Sequence, residues 1–268
     1  MTIDPRSTTT TDPHGYAPPP AVRWGLWQVA AGLGLFAVVL VGANLLVATG
    51  VIEGTDVAQF GLSVAGYGVL VATVVFASRR LGQRSLAKDF WLRFRPVDLA
   101  IGLGLGLFAK VLSAVYGLVG IALFGVPVQQ SNLTLSGDTL WLVVNGVVMV
   151  AIVAPFAEEL FMRGLVLHAV RNAVLRRAGR PQPAPANVQR TALVVSIAAS
   201  SLLFMALHLY QSTEPALLFV LGLSTLTLGV LNAVIVYLTQ RLGPAIVAHM
   251  VFNGISVATL LLLGGAGH

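Results

Sequence analysis

Two adjacent carboxylates, Glu158 and Glu159, stand in an apolar stretch of the chain and are followed by Arg163. On a helix, Glu159 and Arg163 are four residues apart with the acid on the N-terminal side, so they can form an ion pair. Glu158 lies about 100° round the same helix, away from that arginine. A carboxylate in apolar surroundings is suited to exchange a proton near neutral pH. The spacing therefore predicts Glu158 as the reactive acid. The alternative is that both acids only balance Arg163.

Two histidines further along the chain each have a second notable side chain one helical turn away. Phe204 precedes His208, and His249 precedes Asn253. An imidazole can accept a proton, hold a water or ligate a metal, although a lone histidine is often structural. An imidazole and a carboxamide on one helical face can stabilise an oxyanion, or orient a metal or a water. If the helices of Glu158 and His208 form an antiparallel hairpin, both side chains lie about 25 Å from its tip and can polarise one water.

The remaining polar residues of the apolar stretches narrow the chemistry. His168 falls on another side of the helix that carries Glu158, so we expect it to be structural. Lys110 is isolated and is left without a predicted role. The chain has no cysteine, which excludes disulfides, zinc-thiolate sites and a cysteine nucleophile. It also lacks a His-Glu-x-x-His sequence, which excludes a zincin helix.

The elements that must position these side chains are predicted to be membrane spans. Hydrophobic residues make up 56% of the chain and charged residues 10%, with a mean hydropathy of +0.86, which excludes an ordinary soluble domain. A spanning helix needs about 20 mostly apolar residues. Such runs predict an all-α, polytopic transmembrane helix bundle with spans at 24–49, 57–78, 99–124, 139–162 with a helical continuation to about 176, 191–210, 215–238 and 244–263.

The domain organisation follows from the same pattern. Residues 1–22 contain repeated threonines and prolines and are predicted to be a disordered cytoplasmic tail, and residues 23–268 to be one transmembrane domain. The first apolar run is too long for a signal-peptide core and has no evident cleavage site, so we expect it to be retained. The glycines at 102, 104 and 106 indicate close helix packing rather than a phosphate-binding loop. Tryptophans near span starts, at 24, 27 and 141, fit anchoring at the membrane interface.

The net charge of +6 is a signal of topology, because the cations fall in alternate loops. They are Arg6, Arg23, Arg79, Arg80, Arg84, Lys88, Arg93, Arg95, Arg171, Arg176, Arg177, Arg180, Arg190 and Arg241. The other loops carry Glu53, Asp56, Asp138 and Glu214. The positive-inside rule then predicts an integral inner or plasma membrane protein with the N-terminus in the cytoplasm and the C-terminus outside. A nucleic-acid partner is not expected.

The three motifs resemble those of the CPBP family, the CAAX-protease and bacteriocin-processing membrane peptidases also called the Abi family. The resemblance covers roughly residues 140–260 and rests on Glu158-Glu159-x-x-x-Arg163, Phe204-x-x-x-His208 and His249-x-x-x-Asn253. It implies that Glu158 and His208 activate the attacking water, that His249 and Asn253 stabilise the oxyanion, and that Glu159, Arg163 and Phe204 support them. It leaves open whether the cofactor is none or one divalent metal such as zinc, for which the ligands would be Glu158, His208 and His249.

Together these patterns predict an intramembrane endopeptidase that acts on a peptide or protein substrate within the lipid bilayer, with its cavity opening toward the cytoplasm. The substrate is of CAAX type or bacteriocin type, and the sequence does not choose between them. Two other classes stay open. Buried acids and histidines also build the pathways of ion-coupled transporters, although no internal repeat is present. The third class is a non-catalytic membrane immunity or scaffold protein.

Overall fold

The computed structural model describes residues 22–125, 138–178 and 184–264. Within those ranges the chain is helical, without strands, and seven helices are long and apolar enough to cross a membrane. The predicted all-α bundle of seven spans is therefore confirmed. The predicted disordered tail, apart from residue 22, lies outside the described residues.

The helices are numbered here in chain order, and all except the short α3 are candidate spans. They are α1 Leu26–Ala48, α2 Asp56–Phe76, α3 Leu86–Asp89, α4 Val97–Phe124, α5 Thr139–Arg177, α6 Ala186–Leu209, α7 Pro215–Thr239 and α8 Gly243–Gly264.

Helix α5 carries both acids of the first motif and is irregular on either side of them. The regular segment Ala154–Glu159 lies between two stretches of wider π-type turns, Leu142–Val153 and Leu160–Val166. Pro155 has no backbone N–H to donate to the preceding turn, which is consistent with a change of hydrogen-bond pattern at this point. Such π-type turns are frequent at functional sites, and here they flank Glu158 and Glu159.

One end of the bundle, called the basic end, gathers the arginine-rich connections. The backbone N–H of Arg23, before α1, donates to the carbonyl of Leu81, after α2, at 2.8 Å. The N–H of Gly243, at the start of α8, donates to the carbonyl of Arg93 at 3.1 Å. The loops that were predicted to share one face of the membrane are therefore in direct contact.

The opposite end, called the acidic end, gathers the connections that carry Glu53, Asp56, Asp138 and Glu214. The side-chain amide of Asn145 on α5 donates to the carbonyl of Asp56 at the start of α2, at 3.2 Å. The rings of Phe124 and Phe219, from the end of α4 and the start of α7, have centroids 6.0 Å apart. The helices thus alternate in direction as the charge pattern predicted.

A buried ion pair ties the start of α4 to the connection before α8. The carboxylate of Asp98 is fully buried and accepts hydrogen bonds from Arg241 Nη2 at 2.6 Å and from Arg241 Nε at 3.0 Å. The hydrogen bond from Asp98 raises the pKa of the Arg241 guanidinium above its ordinary value. Asp98 also accepts from the backbone N–H of Arg95 at 2.8 Å. This pair fixes where α8 begins.

Helix α8 packs closely against α4 through two glycines one turn apart, as small-residue motifs do in membranes. A Cβ atom added at Gly102 would lie 2.8 Å from the carbonyl oxygen of Pro244, and one at Gly106 would lie 2.5 Å from that of Ala248. A Cβ at Gly104 would meet nothing within 4 Å. The expectation of close helix packing is therefore confirmed for the first and third glycines of the run.

We expect Gly106→Leu to destabilise the protein by about 1–3 kcal/mol or more, because the added side chain collides with the backbone of α8. The matched variant Gly104→Leu should leave stability unchanged within about 0.5 kcal/mol. Thermal unfolding of both variants in detergent measures the difference. Equal unfolding temperatures would contradict the packing described here.

The basic end is closed by a cluster of large apolar side chains, which we call the basic-end plug. It consists of Trp24, Phe90, Phe161, Leu165 and Leu242, each at most 1% exposed. The rings of Trp24 and Phe90 have centroids 4.8 Å apart. Trp24 was predicted to anchor the chain at the membrane interface, but it is buried inside the bundle. Trp27 is 78% exposed, as interfacial anchoring requires.

Backbone contacts hold the plug in place. The carbonyl of Trp91 accepts a hydrogen bond from the N–H of Leu242 at 2.9 Å. Trp91 has a φ of 55°, a left-handed conformation that is rare for a bulky residue. Its ring packs edge-on against His168 on α5, with centroids 4.4 Å apart. The surrounding structure thus forces the loop between α3 and α4 to fold inward over the end of the bundle.

Candidate active site

The two acids of α5 have different environments. Glu159 is fully buried, and its Oε1 accepts a hydrogen bond from Arg163 Nη1 at 3.0 Å. Arg163 is also fully buried and donates from Nη2 to the carbonyl of Gly229 on α7 at 3.1 Å. The ion pair predicted from the four-residue spacing is present. Glu158 is turned away from this pair and its side chain is 16% exposed, so it is the carboxylate that water can reach.

The imidazole of His249 on α8 lies between the two acids. Its Nδ1 is 2.9 Å from Glu159 Oε1, and its Nε2 is 3.7 Å from Glu158 Oε2. The buried carboxylate accepts the Nδ1 hydrogen, which leaves Nε2 as the nitrogen that faces Glu158. A gap of 3.7 Å is too long for a direct hydrogen bond and suits a bridging water. Arg163, Glu159, His249 and Glu158 thus form one polar chain across two helices.

Phe204 on α6 packs against both histidines. Its ring centroid is 4.5 Å from that of His208 and 5.4 Å from that of His249. The guanidinium carbon of Arg163 lies 4.5 Å from the same ring, a cation–π contact. His208 Nδ1 donates to the carbonyl of Phe204 at 2.8 Å, which leaves Nε2 for water or substrate. No hydrogen bond or ion pair joins His208 to Glu158, so His249 is the imidazole paired with that acid.

Asn253 lies one turn beyond His249 and faces the same space. Its Nδ2 donates to the carbonyl of Val150 on α5 at 3.0 Å. A carboxamide has two N–H donors, so this contact fixes the side chain and leaves the second N–H free to donate. The contact also joins α8 to the first π-type stretch of α5. A hydrogen bond as well as packing therefore fixes the orientation of the Asn253 side chain.

All four predicted catalytic side chains line one cavity of about 890 Å³. They are Glu158, His208, His249 and Asn253. The cavity is at the upper end of the size range of small-molecule sites. Most of its other lining residues come from α1, α2, α5, α6, α7 and α8, in the parts of those helices nearer the acidic end, and a few come from the connections at that end. The predicted opening of the cavity toward the cytoplasm depends on which end of the bundle faces the cytoplasm, and it stays a prediction.

Two tyrosines of this cavity were not among the sequence candidates. Tyr67 on α2 and Tyr210 after α6 line it. Burial, together with the negative charge of Glu158, raises the pKa of Tyr210, so its phenol stays protonated and can donate a hydrogen bond. The only signal in the sequence was a phenol within an apolar span, which is too common to single out either residue.

The residues named as ligands for a divalent metal do not form a ready set. Among the described residues, no group of three or more His, Asp or Glu side chains is arranged to hold a metal ion. His249 Nδ1 is engaged by Glu159, and no hydrogen bond or ion pair joins His208 to Glu158 among the described residues. Two donors, Glu158 and His249 Nε2, face the same gap, one fewer than the three protein ligands of a catalytic zinc site.

The two other ionisable residues singled out in the sequence, His168 and Lys110, do not line the cavity. His168 is buried, and its Nδ1 lies 3.0 Å from the carbonyl of Arg163, in agreement with the expected structural role. Lys110 donates from Nζ to Ser256 Oγ at 2.7 Å and lies 4.9 Å from the centroid of the Phe252 ring. These contacts join the middle of α4 to α8.

The fold and the cavity define a polytopic helical membrane protein with an ionisable, water-accessible chamber inside its bundle. A family model, described as Type II CAAX prenyl endopeptidase Rce1-like, matches residues 139–255, which include all three motifs. The match confirms the family resemblance seen in the motifs and supports an intramembrane protease of the CAAX type, a hydrolase. No curated protein and no solved structure matches the chain.

Proposed function

We propose that this protein is an intramembrane endopeptidase in which Glu158 activates a water for attack on a peptide bond. The observation that carries the proposal is the 3.7 Å gap between Glu158 Oε2 and His249 Nε2 inside a cavity. A water in this gap can donate one hydrogen to each group. Glu158 takes one proton as the water oxygen bonds to the substrate carbonyl carbon.

The remaining residues take roles that follow from their contacts. The buried pair of Glu159 and Arg163 holds the tautomer of His249, as a carboxylate does for a histidine in many active sites. Asn253, with its free N–H, stabilises the oxyanion that forms on the carbonyl. His208 contributes a second imidazole at the cavity wall. Glu158 then returns its proton to the amine as the carbon–nitrogen bond breaks.

The orientation is part of the proposal. The basic end faces the cytoplasm, since the arginine-rich loops meet there and the acidic connections meet at the other end. The N-terminus is then cytoplasmic and the C-terminus outside. The substrate is a peptide or protein segment. The family match over residues 139–255 supports hydrolysis of a peptide bond and does not define a cleavage sequence.

The test is cleavage by the purified protein in liposomes, followed by mass spectrometry of new peptide termini from a mixed set of membrane peptides. We expect wild type to produce termini that His249→Ala reduces by about 10²-fold or more, because the water loses one of its two partners. Ion flux is measured in the same liposomes. Flux without cleavage, or cleavage that is equal in the two proteins, would contradict the proposal and favour a transporter or a scaffold.

A further inference from the structure

A second pocket, of about 490 Å³, lies among the connections of the basic end, and no residue lines both this pocket and the cavity of Glu158. It is formed by the loop before α4, by the end of α7 and by the connection from α7 to α8. Its lining residues are Arg93, Phe94, Arg95, Thr239, Gln240 and Arg241. Half of these residues are arginines, so we call it the arginine pocket.

The charges of the arginine pocket favour an anion. Next to its three guanidinium groups lies the fully buried carboxylate of Asp98, which already accepts hydrogen bonds from Arg241 and from the backbone N–H of Arg95. Two positive charges therefore stay unbalanced. They belong to Arg93 and Arg95, whose side chains are exposed and form no hydrogen bond or ion pair with the described residues.

Hydrogen bonds hold the walls of the pocket in place. The carbonyl of Arg93 accepts from the first backbone N–H of α8 at 3.1 Å, and the N–H of Arg95 donates to Asp98 at 2.8 Å. Arg241 donates from Nε and Nη2 to Asp98 and from Nη1 to the carbonyl of Thr239 at 3.2 Å, which leaves one hydrogen on each terminal nitrogen. A guanidinium held in this way is suited to bind the oxygens of a phosphate.

The pocket is bordered by apolar side chains that face outward from the bundle. Each of them is more than half exposed: Phe94 in the pocket wall, Val97 and Leu99 at the start of α4, and Leu238 in the last turn of α7. In a membrane protein, such side chains at a helix end lie where the hydrocarbon meets the headgroup layer. The pocket therefore lies at the level of phospholipid phosphates, with apolar surface beside it for acyl chains.

We propose that the arginine pocket binds the phosphate of an anionic phospholipid. The phosphate accepts hydrogen bonds from Arg93, Arg95 and Arg241, and the acyl chains lie against the exposed apolar side chains of α4 and α7. Because Arg241 also holds Asp98, the bound lipid reinforces the link between the start of α4 and the connection before α8. It stabilises the folded bundle, as does any ligand that binds the folded state alone.

The test uses the full chain purified in a neutral detergent and three probes. Phosphatidylglycerol is the anionic lipid, phosphatidylcholine with the same acyl chains carries a phosphate but no net charge, and inorganic phosphate represents a soluble anion. Native mass spectrometry measures how much lipid the protein retains at each lipid concentration. The unfolding temperature is measured with and without each probe.

Two double variants carry the comparison. Arg93→Gln with Arg95→Gln removes the two unbalanced charges of the pocket. Arg79→Gln with Arg80→Gln is the matched control, because these arginines are also exposed at the basic end but do not line the pocket. All three proteins should unfold at the same temperature in detergent alone, since the substituted side chains are exposed.

We expect wild type and the control variant to bind phosphatidylglycerol about tenfold more tightly, or more, than the variant of Arg93 and Arg95. The reason is that each basic residue near an anionic headgroup contributes a factor of roughly five to binding. Phosphatidylglycerol should raise the unfolding temperature of wild type and of the control variant. It should leave that of the pocket variant nearly unchanged.

Equal binding of phosphatidylglycerol by the two double variants would overturn the inference, because the attraction would then come from the basic end as a whole. Equal binding of the two lipids by wild type would also overturn it. An equal rise in unfolding temperature with inorganic phosphate would make the ligand a soluble anion and reject the lipid. None of these measurements involves hydrolysis, so failure of this inference leaves the proposed function untouched.

Discussion

Replacing Glu158 by Gln is expected to lower the rate of peptide hydrolysis by about 10²–10⁴-fold, the usual contribution of a general base. The amide keeps the size of the side chain but cannot take the proton from water. The loss should fall on kcat rather than KM, because the water is activated only as the reaction proceeds. The test is to measure kcat and KM for peptide cleavage in liposomes by the variant and by wild type.

The control for this prediction is stability. Glu158 makes no direct hydrogen bond with the described residues and its side chain is partly exposed, so the free energy of unfolding of the variant should lie within about 0.5 kcal/mol of that of wild type. Glu214→Gln, at the acidic end, is a matched change of an acid distant from the site and should retain full activity. Unaltered cleavage by Glu158→Gln would remove the acid from the mechanism, whatever the other residues do.

Replacing Arg163 by Met should have the largest effect on stability, about 3–5 kcal/mol, because it leaves the buried carboxylate of Glu159 without its cation. The lost contacts include the hydrogen bond to the Gly229 carbonyl and the stacking on Phe204. Thermal unfolding in detergent measures the effect. Activity should fall as well, because the orientation of His249 depends on Glu159.

The double variant Glu159→Gln with Arg163→Met separates charge from packing. Removing both charges of a buried pair is often nearly neutral, whereas removing one is costly. We therefore expect the double variant to be more stable than Arg163→Met alone, a coupling that a double-mutant cycle measures. If the two substitutions destabilise additively, the ion pair does not carry the stability assigned to it.

The parts of the fold that depend on local sequence were predictable. Run length and hydropathy place all seven spans within a few residues of the helices found, since crossing the hydrocarbon sets a minimum length. The ion pair between Glu159 and Arg163 was predictable for a similar reason, because a four-residue spacing defines a helical neighbour.

The meeting of His249 with both acids could not be derived from spacing, because 90 residues separate it from Glu159. The direction of the His249 side chain depends on how α8 is rotated about its axis. Gly102 and Gly106 set that rotation because they allow the backbone of α8 to pack directly against α4. The glycines indicated that close packing would occur but not which partner they would meet. The family resemblance supplied the four residues, whereas the pairing of Glu158 with His249 rather than His208 required coordinates.

The packing of the loop that contains Phe90 and Trp91 could not be predicted from the sequence. The loop turns inward through a left-handed residue at Trp91, and Phe90 packs against Trp24. A positive φ at tryptophan has no local signature, since it is imposed by tertiary contacts.

The ion pair between Asp98 and Arg241 also limits sliding of α8 along its own axis. His249 is only about 9 Å along the helix from Gly243, so any shift of the anchored residues reaches the imidazole undiminished. A slip of one turn, about 5.4 Å, would carry Nε2 out of reach of Glu158. The alignment of His249 with Glu158 is therefore set at the basic end of the bundle, by two charges that lie outside the cavity.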